Sequence, residues 1–264
     1  FDRIRNEHYA PALREAMRLQ REAIARIVAD PAAPTFENTL EALERSGELL
    51  ARVDNVFRAV NSASTSDEIE AIARELAPEQ SAHADAILFD SGLFERIRKV
   101  YDARNGLPLS PEQRRLIEKR YRDFVRGGAL LDGPKKARLA KINEELSLLG
   151  LRFSENVLKE TNGFELVIKS RDDLAGLPPG AVDAAAEAAA SRGRPGSWVF
   201  TLHNPSIVPF LQYAERRPLR EKMFKAYVER GNRGGELDNN ALCSRIASLR
   251  TERAKLLGYD THAS

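Results

Sequence analysis

The chain has 264 residues, 42% of them hydrophobic and 30% charged, which is enough apolar material for a large core and excludes a disordered or fibrous chain. Its 41 basic and 39 acidic residues leave a net charge of +2 and are interspersed, so a nucleic-acid partner is not expected. No apolar run approaches the roughly 20 residues of a membrane span, and the single cysteine, Cys243, rules out an intrachain disulfide.

Tyr9, Leu13, Met17, Ile24, Ile27 and Val28 recur at helical spacing after Pro11, and Asp30–Pro31 ends the run. Thr35 then caps a helix with Phe36, Leu40, Leu43, Gly47, Leu50 and Phe57 inward. Gly47 falls on that stripe, which points to a close helix contact more than to a break. Ser66 caps the next helix, with Ile69, Ile72 and Leu76. Pro78 is read as a restart, with Ala82, Ala86 and Leu88 or Phe89 facing inward. After Ser91–Gly92 come Leu93, Ile97, Val100 and Tyr101.

Ser110, Pro111 and Gln113 form a capping box with proline at the first helical position, and Gly127–Gly128 stops the helix that follows. Asp132 caps a second helix whose Leu139, Ile142, Leu146, Leu149, Phe153 and Val157 share one stripe. Unbroken to Thr161–Asn162–Gly163, it would be about 30 residues, or about 45 Å at 1.5 Å per residue. We expect residues 110–161 to be the scaffold of the molecule, with Leu146 and Leu149 covered by other helices.

Beyond Gly163 the period changes once. Phe164–Ile168 and Trp198–Leu202 read as short strands around an Ala-rich helix at 181–190, and helices resume at 206–214, 219–230 and 238–257. The expected fold is mainly α: a multi-helix array of long antiparallel neighbours with a small inserted β element, at about 164–168 and 198–202. The expected organisation is a helical block over 1–163, a β insertion over 164–202, and helices over 203–264. The last helix, 238–257, carries apolar residues on more than one side and is expected to present an uncovered apolar surface.

No catalytic set stands out. His8, His83, His203 and His262 have no second histidine four residues on, so no helical zinc pair exists. His203–Asn204–Pro205 reads as a strand-exit turn. The glycines of 231–235 are followed by no Lys-Ser/Thr and preceded by no strand, which disfavours a phosphate loop. Cys243, beside Leu242 and Ile246, reads as packing. No Gly-x-Ser-x-Gly elbow is present. We therefore assign no catalytic and no metal residues, and leave substrate-binding residues open.

Several long stretches carry a resemblance: PTFENTLEALERSGELLARV (34–53), RLIEKRYRDFVRGGALL (115–131), KARLAKINEELSLLGLRFSENVLKET (136–161), REKMFKAYVERGN (220–232) and LRTERAKLLGYDTHA (249–263). They resemble the N-terminal half of bacterial peptidyl-dipeptidases (dipeptidyl carboxypeptidases), zinc metallopeptidases of the thimet oligopeptidase-like family. Residues 175–193 and 230–239 look closer to these than to oligopeptidase A-like endopeptidases. The resemblance implies a mostly helical peptidase of twice this length or more, its two halves flanking a channel that admits flexible oligopeptides. It implies zinc on a His-Glu-x-x-His helix, with a further Glu from a following helix, all in the C-terminal half. No position of this sequence matches those ligands, so the expectation is an N-terminal fragment that binds no zinc, is inactive alone, and has the missing catalytic half as its partner. A cytoplasmic location is implied. The periplasm stays open, because the chain begins at Phe1 with neither initiator Met nor signal peptide and a trimmed start is expected. Two other classes are kept: a stand-alone helical scaffold or binding module, and an enzyme with an unrecognised site.

Overall fold

A computed structural model describes residues 2–264; Phe1, at the expected trimmed start, lies outside the described residues. The fold is mainly α, as the periodicity predicts, with one two-stranded antiparallel sheet among the described residues. Two compact units divide the chain: residues 1–148 with 248–264, and residues 149–247.

The first unit opens with α1 (Tyr9–Ala29), which buries Tyr9, Leu13, Ala16, Met17, Ile24 and Ile27. Thr35 caps the next segment as predicted. Its hydroxyl accepts from Asn38 N at 3.2 Å, and the Asn38 side chain accepts from Thr35 N at 2.7 Å. The first turn is a π-helix, Phe36–Glu41, continued by α2 (Ala42–Ser46) and α3 (Glu48–Ala63). Gly47 is both things the sequence left in competition. It is the joint between α2 and α3, and a Cβ there would lie 3.1 Å from Gln20 Nε2 of α1.

Pro78 does not restart the chain. The helix α4 (Asp67–Leu88) runs through it, with Ser66 as its cap. A proline inside a helix removes one N–H and normally bends or breaks it. Here Ile69, Ala73 and Leu76 are buried before Pro78 and His83 after it, so packing holds both sides of the proline in one helix. From α1, Arg14 reaches both Glu75 and Glu79, three residues before the proline and one after it. The inward face also differs from expectation. Ala82 and Ala86 are exposed, while His83 and Asp85 are buried.

Helix α5 (Ser91–Ala103) is capped by Asp90, which accepts from Leu93 N at 2.8 Å. Helix α6 (Pro111–Gly127) shows the predicted capping box at Ser110 and Gln113 and ends at Gly128 with φ +101°. A side chain at Gly128 would be strained by that φ and would meet Leu139 Cδ2 at 2.6 Å. The main core of this unit is built by Ile24 and Ile27 of α1, Phe36, Leu40 and Leu43, the α5 face Leu93–Phe94–Ile97–Val100, and Ile117 and Phe124 of α6.

Helix α7 (Gly133–Gly163) has the 31 residues the spacing implied, and Asp132 caps it, accepting from Lys135 N at 2.9 Å. Its stripe is buried only at the start. Leu139 and Ile142 are fully covered, Leu146, Leu149 and Val157 are half-buried, and Phe153 is exposed. Beyond residue 150 its buried side chains are polar: Glu155, Asn156 and Thr161.

Those residues, which belong to the second unit, meet a loop of that same unit. Asn156 donates to Asn239 Oδ1 at 2.9 Å, Asn239 Nδ2 donates to Phe153 O at 3.1 Å, and Gly231 N donates to Glu160 Oε2 at 2.7 Å. Arg230 adds a bond to Thr161 Oγ1 at 2.8 Å. A loop brings backbone groups that require partners, so the helix face receiving it is polar. The loop from Gly231 is thus fastened, not free.

The second unit also holds β1 (Leu166–Ile168), α8 (Pro179–Ser191), β2 (Trp198–Phe200), α9 (Asn204–Tyr213) and α10 (Arg217–Val228). The two strands pair antiparallel with Val167 opposite Val199, each two residues shorter than predicted. Leu166, Ile168, Leu174, Phe200, Phe210 and Met223 form its core. Helix α11 (Asn240–Leu256) ends the described elements. Leu242, Leu249 and Ala254 are buried on it and Ile246, Leu256 and Leu257 half-buried. The strongly exposed apolar side chains lie elsewhere, Val208 and Tyr213 on α9 and Phe224 and Val228 on α10 among them. The last helix is therefore not the exposed apolar face the sequence implied.

Candidate functional site

Two buried polar side chains on α4 are the first candidates. His83 Nε2 lies 2.8 Å from Gln20 Oε1, and its Nδ1 lies 3.2 Å from Arg21 Nη1. A guanidinium only donates, so Nδ1 must accept and Nε2 must carry the proton it gives to Gln20. Protonating Nδ1 would point an N–H at a cation. Burial first, and Arg21 second, hold this imidazole below its ordinary range. Both ring nitrogens are engaged, which makes His83 a structural residue.

Asp85 Oδ1 accepts from Asn143 Nδ2 of α7 at 2.7 Å, while its Oδ2 is buried without a partner. Burial pushes this carboxyl up, offset in part by Asn143 and by the charge of Arg253 on α11. Two residues apart on a helix, His83 and Asp85 face opposite ways and form no acid–base pair. The sequence carried a signal for the first of them. His83 is seven residues after Leu76, itself seven after Ile69, so an uninterrupted α4 turns it inward.

The remaining histidines are scattered. His8 Nδ1 accepts from Arg5 N at 3.1 Å, and His203 joins Thr201 to Asn162 at the start of α9. His262 is exposed in the last turn. Among the described residues there is no group of three or more His, Cys, Asp or Glu that could hold a metal ion. Cys243 is exposed on α11 and does not pack, because its place beside Leu242 on the helix turns it away from the buried side.

What the surface offers is shape. A groove of about 380 Å³ between α9 and α10 is lined by Leu211, Arg217, Arg220, Glu221 and Phe224. Arg220 bonds Ala214 O and Glu215 O and so fixes the turn between the two helices. Glu221 is paired with Lys225 at 2.7 Å, which leaves Phe224 as the groove's exposed apolar wall. A second groove, about 520 Å³, lies between α1 and α2 and carries Arg26, Ile27, Asp30, Asn38 and Arg45. No helix among the described residues is long and apolar enough to cross a membrane.

Over its whole length the chain is similar to the N-terminal part of known peptidases, dipeptidyl carboxypeptidases and oligopeptidases A. It is 38% identical over 264 residues to the dipeptidyl carboxypeptidase of Salmonella typhimurium and 36% identical over 264 residues to that of Escherichia coli, covering all of this chain and 39% of each relative. Oligopeptidase A of Escherichia coli is 32% identical over 267 residues, again across all of this chain and 39% of the relative. The chain thus spans well under half the length of these relatives. No protein-family model matches it.

Proposed function

We propose that this chain is the N-terminal, channel-forming portion of a zinc-dependent peptidyl-dipeptidase that releases C-terminal dipeptides from oligopeptides. The observation carrying the proposal is the unbroken match of all 264 residues to two dipeptidyl carboxypeptidases. On this reading residues 1–163 form a helical block, 164–202 a β insertion, and 203–264 helices that lead into a C-terminal catalytic half. Zinc and the groups that activate water on it belong to that half, and the work of this portion is exclusion. Helices flanking a channel admit a flexible peptide and keep a folded protein from the metal. The partners are an oligopeptide and the catalytic half, and the compartment is the cytoplasm.

A second reading, the same portion of an oligopeptidase A-like endopeptidase, is favoured by the 32% identity over the whole chain. The two differ in product. With the chain joined to the sequence encoded after Ser264, a peptidyl-dipeptidase cuts a peptide with a free C-terminus to release its last two residues and spares the C-terminal amide. An endopeptidase cuts both. Absence of His-Glu-x-x-His from that encoded sequence would overturn both readings and favour a stand-alone scaffold.

A further inference from the structure

We propose that the cavity between the C-terminal end of α6 and the turn after α11 binds a small oxyanion, a carboxylate or a phosphate. The turn is built by Gly258. At φ +82° it lets Tyr259 N bond Ala254 O at 2.9 Å while Gly258 N bonds Lys255 O at 3.1 Å, a Schellman closure that folds residues 259–264 back onto the helix end. That return encloses about 190 Å³ lined by Arg126, Arg253, Leu257, Tyr259, Thr261 and His262. The volume is below the roughly 300–1,000 Å³ of pockets for drug-sized ligands. It suits a few heavy atoms and no nucleotide.

Among the described residues, neither arginine in it has a carboxylate within ion-pairing distance. Arg126 has the Tyr259 ring, 5.9 Å from its guanidinium carbon, and among the described residues no carboxylate within ion-pairing distance. Arg253 Nε is buried with no hydrogen-bond partner. The carboxylate that feels Arg253, Asp85, is bonded to Asn143 and is not within ion-pairing distance of it. Of the two arginines at the α1–α2 groove, Arg45 is paired with Glu41. The Arg126 guanidinium, the Arg253 side chain with its unpartnered Nε, a phenol and the Thr261 hydroxyl line it over an apolar floor of Ala254 and Leu257. Guanidinium forks match the paired oxygens of carboxylate and phosphate, and a buried donor without an acceptor is costly until one arrives.

The test is run on the full 264-residue chain and does not depend on the peptidase reading. Inorganic phosphate, acetate and glycylglycine are titrated separately at constant ionic strength, with chloride as the reference. Backbone amide shifts and the thermal midpoint are followed. Saturable shifts confined to residues 126, 253 and 257–262, with a rising midpoint, are expected for at least one oxyanion and not for chloride. The anion that saturates first separates a phosphate site from a carboxylate site. Arg126→Gln, at an exposed position, should weaken binding at least about tenfold, as loss of a charged hydrogen bond does. Should that variant fail to fold, Arg126→Lys is expected to show the same direction, since it keeps the charge and loses the fork. No saturable response at 257–262 to any of the three anions, or equal affinity in the Arg126 variants, overturns the assignment.

Discussion

His83 and Asp85, two residues apart on α4, give the molecule opposite responses to acid. His83 is held below its ordinary 6.5 by burial and then by Arg21. As pH falls through 6.5 the unfolded chain takes up the proton first, so the stability present above 6.5 is lost progressively below it. The urea midpoint should therefore fall between about pH 7 and about pH 5.5, and His83→Gln should flatten that fall. A wild-type midpoint constant over this interval would contradict the geometry at Nδ1. Asp85 has the reverse sign. Its carboxyl is pushed above its ordinary 3.8 by burial, so the folded chain binds that proton more tightly than the unfolded one. Its charged form costs stability near neutral pH, and the cost disappears as pH falls through the raised value toward 3.8. Asp85→Asn should raise the thermal midpoint near pH 7 and lose that advantage in acid. A lower midpoint near pH 7 would show that attraction to Arg253 outweighs burial.

At the scale of the element, capping chemistry was legible and facing was only half legible. Thr35, Ser66, Ser110 and Asp132 all cap where their side chains and the following apolar run implied. A cap needs only local backbone geometry, so its signal survives in sequence. Facing depends on what arrives from elsewhere. Ile97 of α5 is fully buried, whereas Leu146, in the middle of the α7 stripe, is half-buried. Ile97→Ala should thus cost about 2–5 kcal/mol, the range for emptying a closed core site. Leu146→Ala should cost less than about 2 kcal/mol, because water already reaches the side chain. Urea unfolding of the two variants checks the order, and equal losses would return α7 to the centre of the core.

For the whole molecule, the relevant fact is that all of this chain aligns with only 39% of the dipeptidyl carboxypeptidases it matches. No metal-holding group of three or more His, Cys, Asp or Glu exists among the described residues. On the proposed reading, the isolated chain should release no dipeptide from an oligopeptide with added zinc, and equilibrium dialysis should find no tight stoichiometric zinc. Dipeptide release by the purified chain, or one equivalent of zinc held by three of its side chains, would sink the proposed division of labour. The groove between α9 and α10, with Phe224 exposed, marks where this portion offers apolar surface.

The sequence by itself determined the helical class, the position of the small sheet, the caps, the length of α7 and the relationship to peptidases, because each rests on local periodicity or on long colinear stretches. Tertiary structure decided the rest. It carried α4 through Pro78, since side chains buried before and after the proline hold it in place. It turned His83 and Asp85 inward and Cys243 outward, gave the far half of α7 a polar partner in the 229–240 loop, and brought Arg126 and Arg253 to one cavity from helices more than a hundred residues apart. Spacing fixes which residues share a face of an element. Only the packed chain decides what that face meets, and so which polar groups are buried with a partner and which are left without one.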